Sequence, residues 1–183
     1  MKNLVLAVLV LLAFASCDNA KKYKTEIAEI DSTQLQLDSL ETLINSIDID
    51  SLVYMQKEAS ANEGVIRQYY LPDTVDMTFA GKLDRNKRVR KSLSSVESQK
   101  VNILKELVEI RMQYTNLKKD VLAGLYDKKQ VENYLNVERL DFDQLYINIK
   151  SYNDLQIEQK KNFYYANPQI KEYCEILLKN IEK

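Results

Sequence analysis

Residues 89–121 read VRKSLSSVESQKVNILKELVEIRMQYTNLKKDV, and their spacing decides the fold. Val89, Leu93, Val96, Lys100, Ile103, Leu107, Ile110, Tyr114, Leu117 and Val121 follow one another at alternating steps of four and three. Nine of these ten are apolar or aromatic, so the run is a heptad seam and predicts a long helix with one buried stripe. A second seam lies at Val131, Leu135, Glu138, Phe142, Leu145, Ile149, Tyr152, Gln156, Gln159 and Phe163. It fits at seven of ten positions and becomes polar towards its end.

Between the seams stands Gly124-Leu125-Tyr126-Asp127. Gly124 suits the left-handed residue that closes a helix, and Asp127 with Gln130 has the spacing of a capping box. So short a connection folds the two helices back antiparallel, with Lys100 expected near Tyr152 and Leu107 near Leu145. The flanks carry further helical stripes. Ile27, Ile30, Leu37, Leu40, Ile44 and Ile47 mark an earlier helix, interrupted near Asp48-Ile49-Asp50. Its continuation through Leu52, Met55 and Ala59 fades around Asn62 and Gly64. Pro72 breaks the chain after Tyr69-Tyr70-Leu71, and Asp73 or Asp76 is placed to cap the next helix. Asn167-Pro168 reads as the start of a last helix carrying Ile170, Cys174, Leu177 and Ile181. Leu104, Val108, Leu122, Leu140 and Ile147 lie beside the seams and predict a buried face wider than that of a two-stranded coil. The expected fold is therefore all-α: an elongated helical bundle built on a long antiparallel coiled-coil-like hairpin, about 85–124 and 127–165, with flanking helices. Three glycines and two prolines among 183 residues are too few for a turn-rich β fold.

The first residues answer a different question. Lys2 precedes an apolar run from Leu4 to Phe14, which ends in Ala15-Ser16-Cys17. At about 11 residues the run fits a signal-peptide core and falls short of the roughly 20 that span a bilayer. Ordinary secretory cleavage after Ala13-x-Ala15 is the competing reading. Phe14-Ala15-Ser16-Cys17 resembles the lipobox of bacterial lipoproteins, with Phe14 where that family usually has leucine. The resemblance covers residues 1 to about 19 and implies that Cys17 is acylated and becomes the mature N-terminus. It also implies a cell-envelope location in a Gram-negative bacterium, lipid-anchored on the periplasmic side or at the outer membrane. Residues 1–16 would then be the signal peptide, 17–22 a short tether, and 23–183 a single helical domain. The mature part is similar in character to small helical envelope lipoproteins.

Chemistry is sparse in the rest of the chain. There is no histidine, which removes the usual neutral-pH acid or base and the commonest metal ligand. Asp48-x-Asp50 and Asp141-x-Asp143 offer too few oxygen ligands for calcium, and no phosphate loop or CxxC pair occurs. No cofactor, metal or catalytic residue is expected. With Cys17 acylated, Cys174 is the only thiol left and falls on an apolar stripe, where packing is its expected role. Removal of residues 1–16 takes away only Lys2 among charged groups, leaving 25 basic and 27 acidic residues, net −2. That balance supplies no overall attraction to nucleic acid.

One local charge pattern is a candidate contact. Lys82, Arg85, Lys87, Arg88, Arg90 and Lys91 crowd the start of the first hairpin helix, and antiparallel pairing adds Lys160 and Lys161. Such a cluster suits anionic envelope material or an acidic protein, while the plainer alternative is a solvated helix end. The expected function is binding or scaffolding at the envelope, through the lipid and a protein or anionic partner, with self-association a further outcome. The alternative is an envelope enzyme, or an enzyme inhibitor, using a carboxylate site that spacing does not reveal.

Overall fold

The computed structural model describes residues 18–71, 74 and 76–181. Among these it has no strand and five full helices: α1 (Lys24–Asn45), α2 (Ile49–Tyr69), α3 (Met77–Ser92), α4 (Val96–Ala123) and α5 (Lys128–Ile181). The chain is an all-α helical bundle, as the periodicity predicts. Its helices form two compact units. The first joins the described residues through Ile44 to Ile103–Ile149, and the second joins Asn45–Asn102 to the described residues from Lys150.

Both seams are buried. The nine apolar or aromatic positions from Val89 to Val121 are all in the core, as are the seven of the second seam and both of its glutamines. The turn between α4 and α5 forms as its residues dictate. Gly124 takes φ +73°, its N–H donates to the Val121 carbonyl at 3.1 Å, and that of Leu125 donates to the Asp120 carbonyl at 3.1 Å. Asp127 and Gln130 then cap α5 reciprocally, each backbone N–H donating to the other's side chain at 2.9 Å.

In the first unit α1 lies along α4 and α5. Ile30, Leu37, Leu40 and Ile44 are buried, and a border of charge flanks them. Arg111 reaches Asp38 and Glu41 at 2.8 Å each, Lys118 pairs with Asp31, and Arg139 holds Glu29 through both carboxylate oxygens. Partly exposed pairs of this kind contribute ~0–1 kcal/mol each, so burial of the stripes provides most of the stability. In the second unit α2 and α3 meet α5 around Ile66, Phe79, Ala166, Ile170 and Cys174. Tyr70 docks the loop after α2, its ring 5.5 Å from those of Phe79 and Tyr173.

The structure departs from expectation in several places, each for a tertiary or local hydrogen-bonding reason. The first arm of the hairpin starts at Met77, not near residue 85, because Asp76 caps it by accepting from the N–H groups of Thr78 and Phe79 at 2.8 and 3.2 Å. That arm also breaks at Leu93-Ser94-Ser95, where Ser94 Oγ donates to the Lys91 carbonyl at 2.8 Å and competes with the helix ladder. Leu93 and Val96 remain buried on either side, so the heptad phase survives the break. Helix α2 continues through Asn62 and Gly64, because Asn62 turns inward and donates to Asn167 Oδ1 at 2.8 Å. The same bond takes Asn167 away from capping, and α5 runs through Pro168 without a new start. Val108, Leu140 and Ile147 are 51%, 70% and 56% exposed. Among the described residues these three face outward from the seams that α1, α4 and α5 bury in the first unit, so the buried face is narrower than predicted. The pairing register is also displaced by about one turn: the Tyr152 hydroxyl donates to the Val96 carbonyl at 2.8 Å, while Lys100 Nζ donates to the Ile47 carbonyl at 3.1 Å.

Candidate functional site

The cations singled out by sequence all belong to the second unit, and their neighbours divide them. Asn86 and Val89 face the core and fix the rotation of α3. Asn86 Nδ2 donates to the Ala59 carbonyl at 2.9 Å, tying α3 to α2. On the side towards α5, Arg85 donates to Asn162 Oδ1 at 2.9 Å. The Arg85 guanidinium lies 4.8 Å from the centre of the Tyr165 ring and Lys82 Nζ lies 5.1 Å from it. This cation–π group is the one place, among the described residues, where the sequence cluster and α5 converge. Lys160 is half-buried and Lys161 exposed on the same helix, five and four residues before Tyr165.

The other cations face elsewhere. Arg90 pairs with Glu63 on α2. Arg88 pairs with Asp84 one turn earlier on α3, at 2.9 Å and largely in solvent. Lys87 lines a cleft of about 320 Å³ between α2 and α3, together with Glu63, Ile66, Arg67, Leu83, Asp84 and Asn86. Its wall carries two acids and two bases, so it exerts no strong single-sign field. Lys91 is exposed at the end of α3. The cluster is thus a set of cations held partly by Glu63, Asp84, Asn162 and Tyr165, with Lys87, Lys91 and Lys161 the most open. Cys17, the residue expected to be acylated, lies outside the described residues.

One further group was not legible as a site. A groove of about 230 Å³ in the first unit is lined by Glu106, Glu109, Ile110, Gln113, Asp141 and Gln144. Its carboxylates come from facing helices, and only the pairing register places them together. Among the described residues no group of side chains has the arrangement of a metal site, and no helix is long and apolar enough to cross a membrane.

Titration in the cores reflects burial. Desolvation pushes the Cys174 thiol up, with the Glu58 charge adding to it, and its Sγ sits 3.6 Å from the Asn62 carbonyl. A protonated, packed thiol is a poor nucleophile. Burial raises the Tyr114 phenol to about 12, and the Thr33 hydroxyl beside it only partly offsets this. Glu138, at the polar position of the second seam, is raised by burial and secondarily by the Asp141 charge.

Residues 18–22, expected to be tether, are helical instead, and their contacts are specific. Asn19 Nδ2 donates to the Leu122 carbonyl at 3.2 Å. The Asn19 side chain fills the space beside Gly124, where an added Cβ would come within 2.7 Å of Nδ2. The Tyr23 hydroxyl donates to the Tyr126 carbonyl at 3.0 Å. The chain just after Cys17 is therefore fastened to the α4–α5 turn. No known family, curated protein or solved structure matches this chain.

Proposed function

We propose that this protein is a lipid-anchored binding or scaffolding module of a bacterial cell envelope, acylated at Cys17. The observation that carries the reading is the apolar run from Leu4 to Phe14 ending at Ala15-Ser16-Cys17. The docking of Asn19 and Tyr23 on the α4–α5 turn supports it, since the bundle then begins immediately after the attachment point. An acyl anchor with two or more chains holds a protein stably, each buried methylene contributing ~0.8 kcal/mol. The work of the module is assigned to contact with an envelope protein or anionic envelope component. Within the cluster from Lys82 to Lys91 and Lys160 to Lys161, Lys87, Lys91 and Lys161 are exposed and free of the contacts that hold Arg85, Arg88 and Arg90.

The test is metabolic labelling with palmitate, with membrane fractionation. Labelled, membrane-bound protein that becomes unlabelled on Cys17→Ala is the expected result; label that survives the substitution would sink the anchor. Photo-crosslinking from Lys91 tests the second half, where a discrete protein or anionic adduct is expected and none from a control at Leu177.

A further inference from the structure

Asn19 ties the start of the described chain to the α4–α5 turn. Asn19 is two residues from Cys17, a reach of at most about 7 Å, so an anchor on Cys17 sets the turn against the lipid headgroups. The residues presented there suit that position. Leu125 is 64% exposed at the tip of the turn. Around it Lys21, Lys22 and Lys24 come from the docked N-terminal segment, and Lys128 and Lys129 open α5, all of them exposed. Among the described residues Lys21, Lys24 and Lys129 form no ion pair, and Lys128 reaches Glu132 only at 4.0 Å. The same segments carry Asp18, Glu26, Asp120, Asp127 and Glu132; Asp120 accepts from the Tyr126 hydroxyl at 3.0 Å, and Asp127 caps α5. Five exposed lysines thus flank one exposed leucine, setting cations beside an apolar tip.

We propose that this turn end, Leu125 ringed by Lys21, Lys22, Lys24, Lys128 and Lys129, is a second membrane contact that inserts into an anionic lipid surface. The proposal rests on the anchor reading for the direction in which the membrane lies. Its chemistry is that of interfacial segments, in which an apolar side chain enters the headgroup boundary and lysines meet lipid phosphates. The consequence is orientation. An acyl chain alone leaves a protein free to tilt about its attachment, and a second contact beside it sets the first unit end-on to the bilayer.

The chain has no tryptophan, so one introduced indole reports on one place. Full-length protein carrying Leu125→Trp is compared with protein carrying Leu35→Trp, a site on α1 that is 68% exposed. Each is placed with vesicles of phosphatidylcholine, with and without phosphatidylglycerol, containing brominated lipid as quencher. The expected result is blue-shifted, quenched emission from Leu125→Trp in the anionic vesicles and solvent-like emission from Leu35→Trp. Quenching at position 125 should be lost on adding Lys128→Glu and Lys129→Glu. Unquenched emission at 125, equal quenching at both positions, or quenching indifferent to phosphatidylglycerol or to the charge reversals would overturn the proposal. The intact mass of the same protein reports acylation separately, so loss of the anchor and loss of the turn contact are read independently.

Discussion

The cores of the two units differ in kind. In the first, Ile30, Leu37, Ile44, Leu107, Leu145 and Ile149 are wholly buried, and Thr33 is the only polar residue among the buried set of the described residues. In the second, Asn62, Asn86, Gln156, Gln159 and Asn162 are buried beside Leu52, Met55 and Ile170. Dry stripes hold helices together well but define their sliding poorly, whereas a buried amide costs stability unless its partner is met. Asn62 on Asn167, Asn86 on the Ala59 carbonyl and Arg85 on Asn162 each fix one helix against another in the second unit. The first unit places its registering groups at the border, in the pairs of Arg111, Lys118 and Arg139. The lesson is that one heptad pattern supports two ways of setting register, one by burying amides and one by rimming a dry core with charge.

The largest effect that would break this contrast is removal of a dry-core side chain. Leu107→Ala should cost about 2–5 kcal/mol, read by urea unfolding and, unit by unit, by amide hydrogen exchange. A loss of protection confined to the first unit would sharpen the division, and uniform loss would mean that the units unfold together. Pro168→Ala should act in the opposite direction, stabilising α5 by up to about 3 kcal/mol, because proline interrupts a helix that tertiary packing carries through regardless.

Within the second unit the amides should separate. Asn86→Ala removes a buried hydrogen bond between α3 and the Ala59 carbonyl and is expected to destabilise by about 0.5–1.5 kcal/mol. Gln156→Met should be neutral or stabilising in the same unfolding assay, since Gln156 Nε2 is buried without a hydrogen-bond partner among the described residues. If both variants lost stability alike, the amides would be acting through packing and not through their bonds.

Glu138 gives a pH handle on the first unit. Burial raises its carboxyl in the folded chain, so the folded state binds the proton more tightly than the unfolded one. Its contribution is therefore full below the unfolded glutamate value of about 4.3 and is lost as pH rises through the raised folded value. Glu138→Gln should remove this pH dependence and stabilise the first unit at neutral pH, checked by thermal unfolding across that window. The smallest effect is expected from Arg88→Ala, within about 0.5 kcal/mol, because its pair with Asp84 lies largely in solvent.

Much of this fold was legible because heptad spacing and capping are local. Every apolar seam residue is buried, and Gly124, Asp127 and Gln130 act where their chemistry places them. Two of the failures at helix ends share one cause. Asn62 and Gly64 carry local signals to end a helix and Asn167-Pro168 signals to begin one, and contacts between distant residues, Asn62 with Asn167 and Ile66 with Ala166 and Ile170, outweighed them. Val108, Leu140 and Ile147 depart from expectation because periodicity shows which residues share a stripe but not how many helices arrive to cover it.

The candidate contacts divide along the same line. Sequence alone displayed the lipobox-like Cys17 and the run of cations from Lys82 to Lys91, since composition and adjacency are visible in one dimension. Only the tertiary structure decided which cations are held, Arg90 by Glu63 and Arg85 by Asn162 and Tyr165, and which stay open. It alone brought Asn19 to Leu122 and Tyr23 to Tyr126, residues 103 apart in the chain. A helical stripe is written in the order of residues. The partner of a side chain depends on where other helices come to rest, which hydrophobic burial and the satisfaction of buried polar groups settle together.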